Sequence, residues 1–146
     1  MRKYIYFLLF IGMVHFLSIN VNGLRTMEKF QRIVKMKNSE ILCLQETHWD
    51  NVCILEVKKI WRDFIFVNNG RRNSSGVDIL LRKDVVDNVK HIYNDNNGRI
   101  LILDFEYMSM VFRIINIYAP NTEIERKDLF LESGKWCEGN CCSWGF

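Results

Sequence analysis

The stretch that most constrains this chain runs from Ser18 to His48, where two apolar runs each close on a polar side chain. The first, SINVNGL, closes at Asn20, and the second, EILCLQETH, closes at Glu46. Between them Thr26 supplies a cap, and Met27, Phe30, Ile33 and Val34 recur at helical spacing, with Asn38-Ser39 as the stop. Ile41 to Leu44 is a short continuous apolar run, as expected of a strand covered on both faces. A strand, a crossover helix and a parallel strand deliver both strand ends to one edge of a sheet. In open α/β sheets that carboxyl edge is where ligands bind. An amide and a carboxylate are therefore expected together on a functional edge, the start of a metal and phosphate site.

Composition supports a packed domain around this unit. Of 146 residues, 49% are hydrophobic and 13% aromatic, and a complete domain of this size buries roughly 70% of the surface its unfolded chain exposes. The net charge of +3 permits an anionic partner without demanding one. Cys43 and Cys53 lie in apolar segments and read as small core residues. Cys137, Cys141 and Cys142 crowd the end in a C-x3-C pattern that lacks a second pair at zinc spacing. No regular disulfide framework is visible, so a reducing nuclear or cytoplasmic compartment fits.

The N-terminal stretch carries two readings. Basic Met1 to Lys3 and apolar Tyr4 to Leu17 have the first two regions of a secretory signal. No small-x-small cleavage site follows, the run is short of the roughly 20 residues of a membrane span, and it flows into Ser18-Ile19-Asn20. The other reading is a first strand near Val14 to Asn20 with extra apolar chain before it. The chain thus divides into an apolar leader over 1–13, a domain over 14–133 and a tail of different composition over 134–146.

Further along, Asp50 or Asn51 opens a second helix, with Ile54, Val57, Ile60 and Trp61 inward, and Phe64 to Val67 is the next strand. Asn68 to Gly76 is a turn-rich basic loop with Arg71 and Arg72. Val77 to Leu81 reads as a strand in which Asp78 is out of place. A buried carboxylate without a partner is costly, so Asp78 is expected on an exposed face or at a damaged position. His15 and His91 have no evident carboxylate partner. Asn94 to Gly98 is a turn cluster, and Ile100 to Phe105 and Val111 to Tyr118 form an antiparallel hairpin turning near Tyr107 to Ser109. Ala119-Pro120-Asn121 stops the strand, and Thr122 with Glu125 forms a capping box for a helix through about Leu131.

Three strand ends then carry polar groups: Asn20, Glu46 and Tyr118. The motifs SINVNGL, LCLQETH and INIYAPN resemble those of the endonuclease/exonuclease/phosphatase superfamily, with QETH and YAPN closest to the endonuclease domains of LINE-type retrotransposons. The resemblance covers about Val14 to Leu131. It implies an α/β fold, the N-terminal part of a four-layer α-β-β-α sandwich like that of deoxyribonuclease I. It implies Glu46 as the ligand of a catalytic Mg²⁺ (or Mn²⁺), with Asn22 near the metal, since Mg²⁺ keeps several waters and one carboxylate can anchor it. Asn20 then holds the reacting phosphate or its water, Tyr118 hydrogen-bonds the scissile phosphate, and Arg25 and Asn121 contact the DNA backbone.

The implied reaction is metal-assisted hydrolysis of a DNA phosphodiester that leaves a 3′-hydroxyl. Arg71, Arg72, Lys58 and Lys59 read as a solvated cluster or as added nonspecific phosphate contacts. The superfamily's Gly-Asp-x-Asn motif and its C-terminal histidine motif have no match here, and KWCEGNCCSWGF stands where the first is expected. The expectations are a truncated domain with weak or no activity, one sheet face left unburied, and a frameshift or early stop behind the tail. The rival readings are a nucleic-acid-binding fragment without catalysis, and a phosphoesterase of the same superfamily with another substrate. DNA is the expected partner, and no membrane partner is expected.

Overall fold

The computed structural model describes residues 14–35, 39–70 and 75–137, and the backbone alone over 6–11. Its elements run β1 (Tyr6–Ile11), β2 (Val14–Asn20), α1 (Met27–Lys35), β3 (Ile41–Gln45), α2 (Asn51–Ile60), β4 (Phe64–Asn68) and β5 (Val77–Leu81). Then come β6 (Asp87–Asn94), β7 (Ile100–Tyr107), β8 (Met110–Ile117) and α3 (Glu123–Gly134). The first five strands form one sheet in the order β1-β2-β3-β5-β4, and the last three form a second in the order β6-β7-β8. Among the described residues only β2 and β3 pair in parallel, with Asn20 opposite Gln45, so the crossover through α1 sets both strand ends on one edge.

Side-chain alternation along the strands builds the layers. Leu17, Ile19, Leu42, Leu44 and Leu80 face α1 and α2, where they bury Phe30, Ile33, Cys53, Val57 and Trp49. The opposite face of that sheet presents Val14, Ile41, Val77, Ile79 and Leu81 to Leu101, Leu103, Phe105 and Ile114 of the second sheet. The second sheet's outer face sets Ile100, Ile102 and Ile115 against Leu129 of α3. The order of layers is helices, sheet, sheet, helix. Each such side chain fully buried stabilises the fold by about 1.5–3 kcal/mol.

Local chemistry accounts for the helices. α1 has Glu28 in its first turn and Arg32 and Lys35 in its last, the charge order that suits the helix dipole. Asp50 caps α2, its carboxylate accepting the Cys53 N–H at 2.8 Å. At α3 the expected capping box takes a different form. Thr122 is the N-cap residue, but its hydroxyl donates to the Glu125 carboxylate at 2.7 Å instead of capping the backbone. The β7–β8 turn puts Met108 and Ser109 at φ of 50° and 62°, the positive pair that a two-residue hairpin loop demands.

Several expectations change. The apolar chain before Val14 includes a strand of its own, β1, antiparallel to β2. Strand β6 has no counterpart in the sequence reading. The helix α3 runs to Gly134, and just beyond it Trp136 stacks on Tyr93 with ring centroids 4.9 Å apart; residues 138–146, like Arg71 and Arg72, lie outside the described residues. The sheet face expected to lie bare is covered by its partner sheet, and what stays partly open is an apolar crevice between Val14, Phe16, Phe105, Tyr107 and Phe112. His15 does have a carboxylate partner: Glu40 accepts its backbone N–H at 2.7 Å and lies 3.1 Å from its Nδ1. Among the described residues no helix is long and apolar enough to cross a membrane.

Candidate metal and phosphate site

Three connections bring the strand ends together. The parallel ladder continues past β2 and β3: Val21 N–H donates to Gln45 O at 2.9 Å, Gly23 N–H to Glu46 O at 2.7 Å and Leu24 N–H to Thr47 O at 2.9 Å. Gly23 makes this turn at φ 84°, a conformation that costs glycine nothing. From α1, the Lys29 ammonium reaches back and donates to the carbonyls of Val21 at 2.5 Å and Gly23 at 2.8 Å. From below, Trp49, fully buried, donates its Nε1–H to Leu24 O at 2.8 Å.

On that frame Asn20, Glu46 and Tyr118 converge. Asn20 Nδ2 donates to Glu46 Oε1 at 2.8 Å, while Asn20 Oδ1 accepts the Asn22 N–H at 3.0 Å. The Tyr118 side chain, from the second sheet, reaches close enough to the Glu46 carboxylate for the two to interact. Burial and that carboxylate push the Tyr118 pKa up to about 12, with Arg99 acting the opposite way, so the phenol stays a proton donor at any physiological pH. The backbone is strained at this edge. Asn22, Glu46 and His48 all sit in the left-handed region, at φ of 46°, 56° and 54°. Such strain costs of the order of 1–3 kcal/mol at a residue with a β-carbon and persists where surrounding structure enforces it.

The remaining expected residues are placed less tightly. Arg25 is exposed on the same edge, its Nε–H donating to His48 O at 3.0 Å. Asn121 is exposed beyond β8, where its carbonyl accepts from Arg126 at 2.7 Å. Lys58 and Lys59 end α2 in solvent, and Lys59 pairs with Glu56 on the same helix.

The structure adds residues that the sequence did not single out. Asn116, fully buried, ties the two sheets: its Nδ2 donates to Leu44 O and Asp78 O, each at 2.9 Å, and its Oδ1 accepts from Gln45 Nε2 at 2.6 Å. It lies two residues from Tyr118 and bonds the residue before Glu46, so it fixes the distance between the two halves of the site. Its signal in the sequence was a polar residue at an inward position of an apolar strand.

Asp78 is neither exposed nor idle. It is fully buried, and its Oδ1 accepts the Asn68 N–H at 3.3 Å. Burial pushes its pKa up to about 7, against smaller downward pulls from the Thr47 hydroxyl and the Asn68 N–H. Asp78 Oδ2 and Thr47 Oγ1 do not reach full hydrogen-bond geometry with any described group. A β-carbon on Gly76 would stand 2.5 Å from that Thr47 oxygen, so only glycine fits beside it.

Arg99 is the other addition. Its carbonyl accepts the Tyr118 N–H at 2.8 Å, and its guanidinium lies 3.6 Å from Glu125 at the start of α3.

No family model matches the chain. Over 112 residues it is 27% identical to a DNA-(apurinic or apyrimidinic site) endonuclease of Dictyostelium discoideum, a match that covers 72% of this chain and 30% of that protein. The chain thus spans less than a third of the curated relative's length. Among solved structures, D. rerio TDP2 humanized by 14 mutations superposes with a TM-score of 0.66 at 20% identity, over 86% of this chain and 60% of that one. D. rerio TDP2 complexed with a single-strand DNA product superposes at 0.58 and 14% identity, over 86% of this chain and 55% of that one. These two likenesses are of fold, and the layer order described above agrees with them. In fold the chain is similar to these TDP2 structures, and in sequence it is similar to part of a DNA endonuclease.

Proposed function

We propose that this edge is the metal- and phosphate-binding part of a DNA phosphodiesterase site. The observation that carries the reading is the Asn20 amide bonded to the Glu46 carboxylate, with the Tyr118 side chain close by, on a strained strand end where two sheets meet. The name of the curated relative, a DNA endonuclease, and the DNA product held by a fold neighbour support DNA as the substrate. The motifs QETH and YAPN are the support for a retrotransposon-type nicking enzyme.

The donor set suits one kind of divalent cation and not another. Among the described residues no three His, Cys, Asp or Glu side chains cluster as a metal site, which is unlike the closed ligand shells of structural zinc. Mg²⁺ and Mn²⁺ differ: hard oxygen ligands suit them, and Mg²⁺ retains most of its waters on one or two carboxylates. Glu46 fits that demand, and Asn22 stands beside it on the neighbouring turn. When bound, such an ion supplies charge stabilisation at the phosphate and the departing oxygen. The protein's own groups have separate tasks. Tyr118, kept protonated, donates to a phosphate oxygen, and Asn20 orients Glu46 through its amide and donates at the same edge. Arg25 and Asn121 flank the edge as backbone contacts. Donors already in place where charge develops are worth about 10²–10³-fold each in comparable sites.

The test is nicking of supercoiled plasmid by the purified chain with Mg²⁺, compared with Glu46→Gln. The expected result is slow, Mg²⁺-dependent nicking that falls at least tenfold in the variant. Nicking unchanged by Glu46→Gln overturns the assignment of the site. Salt-sensitive DNA retention without Mg²⁺ dependence or cleavage replaces the enzyme with a binding fragment.

A further inference from the structure

Arg99 sits at the same edge without a role in the reading above. The register of the second sheet pairs Ile100 with Ile117 and Leu101 with Asn116, and the Tyr118 N–H to Arg99 O bond carries the pairing one step further. Directly opposed residues on neighbouring strands project to the same side, so Arg99 and Tyr118 share a side. The same alternation puts Arg99 in line with Leu101, Leu103 and Phe105, the residues that face the first sheet. Past the end of the sheet, that line leads to the edge carrying Glu46. The Arg99 side chain retains 27% of its exposure, enough to meet a ligand.

What now holds Arg99 is a poor partner. Glu125 Oε1 lies 3.6 Å from its Nη2, well beyond the 2.7–2.9 Å of a strong guanidinium–carboxylate bond. The other oxygen of the same carboxylate takes the Thr122 hydroxyl at 2.7 Å, and the Glu125 side chain is 49% exposed. A loose, solvent-screened pair of this kind adds little to the stability of a fold. It is easily exchanged for a better anion.

We propose that Arg99 is a phosphate-binding residue of this site and that Glu125, at the start of α3, is the carboxylate that stands in its place until phosphate arrives. The guanidinium fork matches two phosphate oxygens at once, which a lone carboxylate oxygen at this distance does not. The phosphate belongs to a nucleic-acid backbone or is free in solution; both present the same oxygens. The inference rests on the reading of this edge as a phosphate site, and its test separates the two.

Thermal unfolding of the full chain is measured with and without inorganic phosphate at matched ionic strength, for the wild type, Arg99→Met and Glu125→Gln. The general salting effect of phosphate is common to all three proteins, so differences between them report the site. The midpoint gain is expected to shrink in Arg99→Met and to grow in Glu125→Gln, because the competing carboxylate is gone. Should Arg99→Met fail to fold, Arg99→Lys keeps the charge without the fork and is expected to show an intermediate gain. Equal gains in all variants, or a smaller gain in Glu125→Gln than in the wild type, overturn the inference. Binding to a fluorescent single-stranded oligonucleotide is followed alongside across a salt series, where loss of one phosphate contact lowers the salt slope by about one. An Arg99-dependent phosphate effect without oligonucleotide binding keeps this inference and defeats the nucleic-acid reading. Oligonucleotide binding with an unchanged slope in Arg99→Met does the reverse.

Discussion

The two ends of the central strands β2 and β3 carry polar groups of the same kind under different conditions. At the far end Glu40 accepts both the backbone N–H and the ring Nδ1 of His15, and its own carbonyl takes the Arg82 N–H at 2.9 Å. Arg82 in turn pairs with Asp84 at 3.2 Å. None of these residues has a positive φ among the described ones. At the near end Asn22, Glu46 and His48 are all left-handed, and the Asn20 amide donates to Glu46 at 2.8 Å. The far end ties two strands together through a carboxylate on relaxed backbone, as a structural link does. The near end holds its carboxylate on strained backbone, with the Asn20 amide as one of its partners. The contrast is between an unstrained link and a strained strand end, the one proposed above as a site.

The comparison sharpens around Asp78, which is buried in the layer beneath the near end. Its folded pKa of about 7 lies above the ordinary carboxylate value, so the folded chain holds a proton there that the unfolded chain releases. Stability is therefore highest below about pH 4 as far as this group is concerned, and it falls as pH rises to about 7. The shift sets a ceiling of roughly 4 kcal/mol on that loss. Asp78→Asn is expected to flatten the profile and to leave the protein more stable than the wild type at pH 8. Chemical denaturation from pH 4 to 8 reads both. A wild-type stability that rises across that range contradicts the account.

Next in size is Asn116, which bonds three groups between the sheets. Asn116→Ala takes the side-chain donor from the buried Leu44 and Asp78 carbonyls and one of three acceptors from the Gln45 amide, at a cost of about 2–3 kcal/mol. Because the lost clamp spaces Tyr118 from Glu46, the variant is also expected to lose affinity for a divalent cation, which Glu40→Gln is not. The smallest effect is expected at the far end. Glu40→Gln removes a half-exposed pair worth about 1 kcal/mol or less and leaves metal affinity unchanged. A change in metal affinity there, measured by Mn²⁺ titration, would erase the distinction between the two ends.

The near end was legible in the sequence because each of its groups follows an apolar run directly. Asn20 and Glu46 close two such runs at crossover spacing, and Tyr118 closes a third. The layer order was implied by the resemblance of the three motifs to a known superfamily, not by alternation alone. What stayed hidden depends on contacts between distant segments. Asp78 looked out of place because its surroundings, Thr47, Asn68 and Asn116, come from three other parts of the chain. Strand β6 was missed because it is an edge strand whose side chains are mostly solvent-facing, so DNVKHIYN has no apolar alternation to read. Arg99 was hidden in the turn NDNNGR, where composition signals a loop and nothing marks the direction of a side chain. The Thr122 capping box has the right letters, yet the hydroxyl bonds the carboxylate instead of the backbone.

The central claim is that Glu46 anchors a divalent cation at the near end. Electron paramagnetic resonance of Mn²⁺ titrated into the purified chain tests it without reliance on turnover. The account predicts one bound ion in the wild type and at least a tenfold weaker site in Glu46→Gln, with the far-end variant Glu40→Gln unchanged. Equal Mn²⁺ affinity in Glu46→Gln and the wild type, both folded, would contradict it.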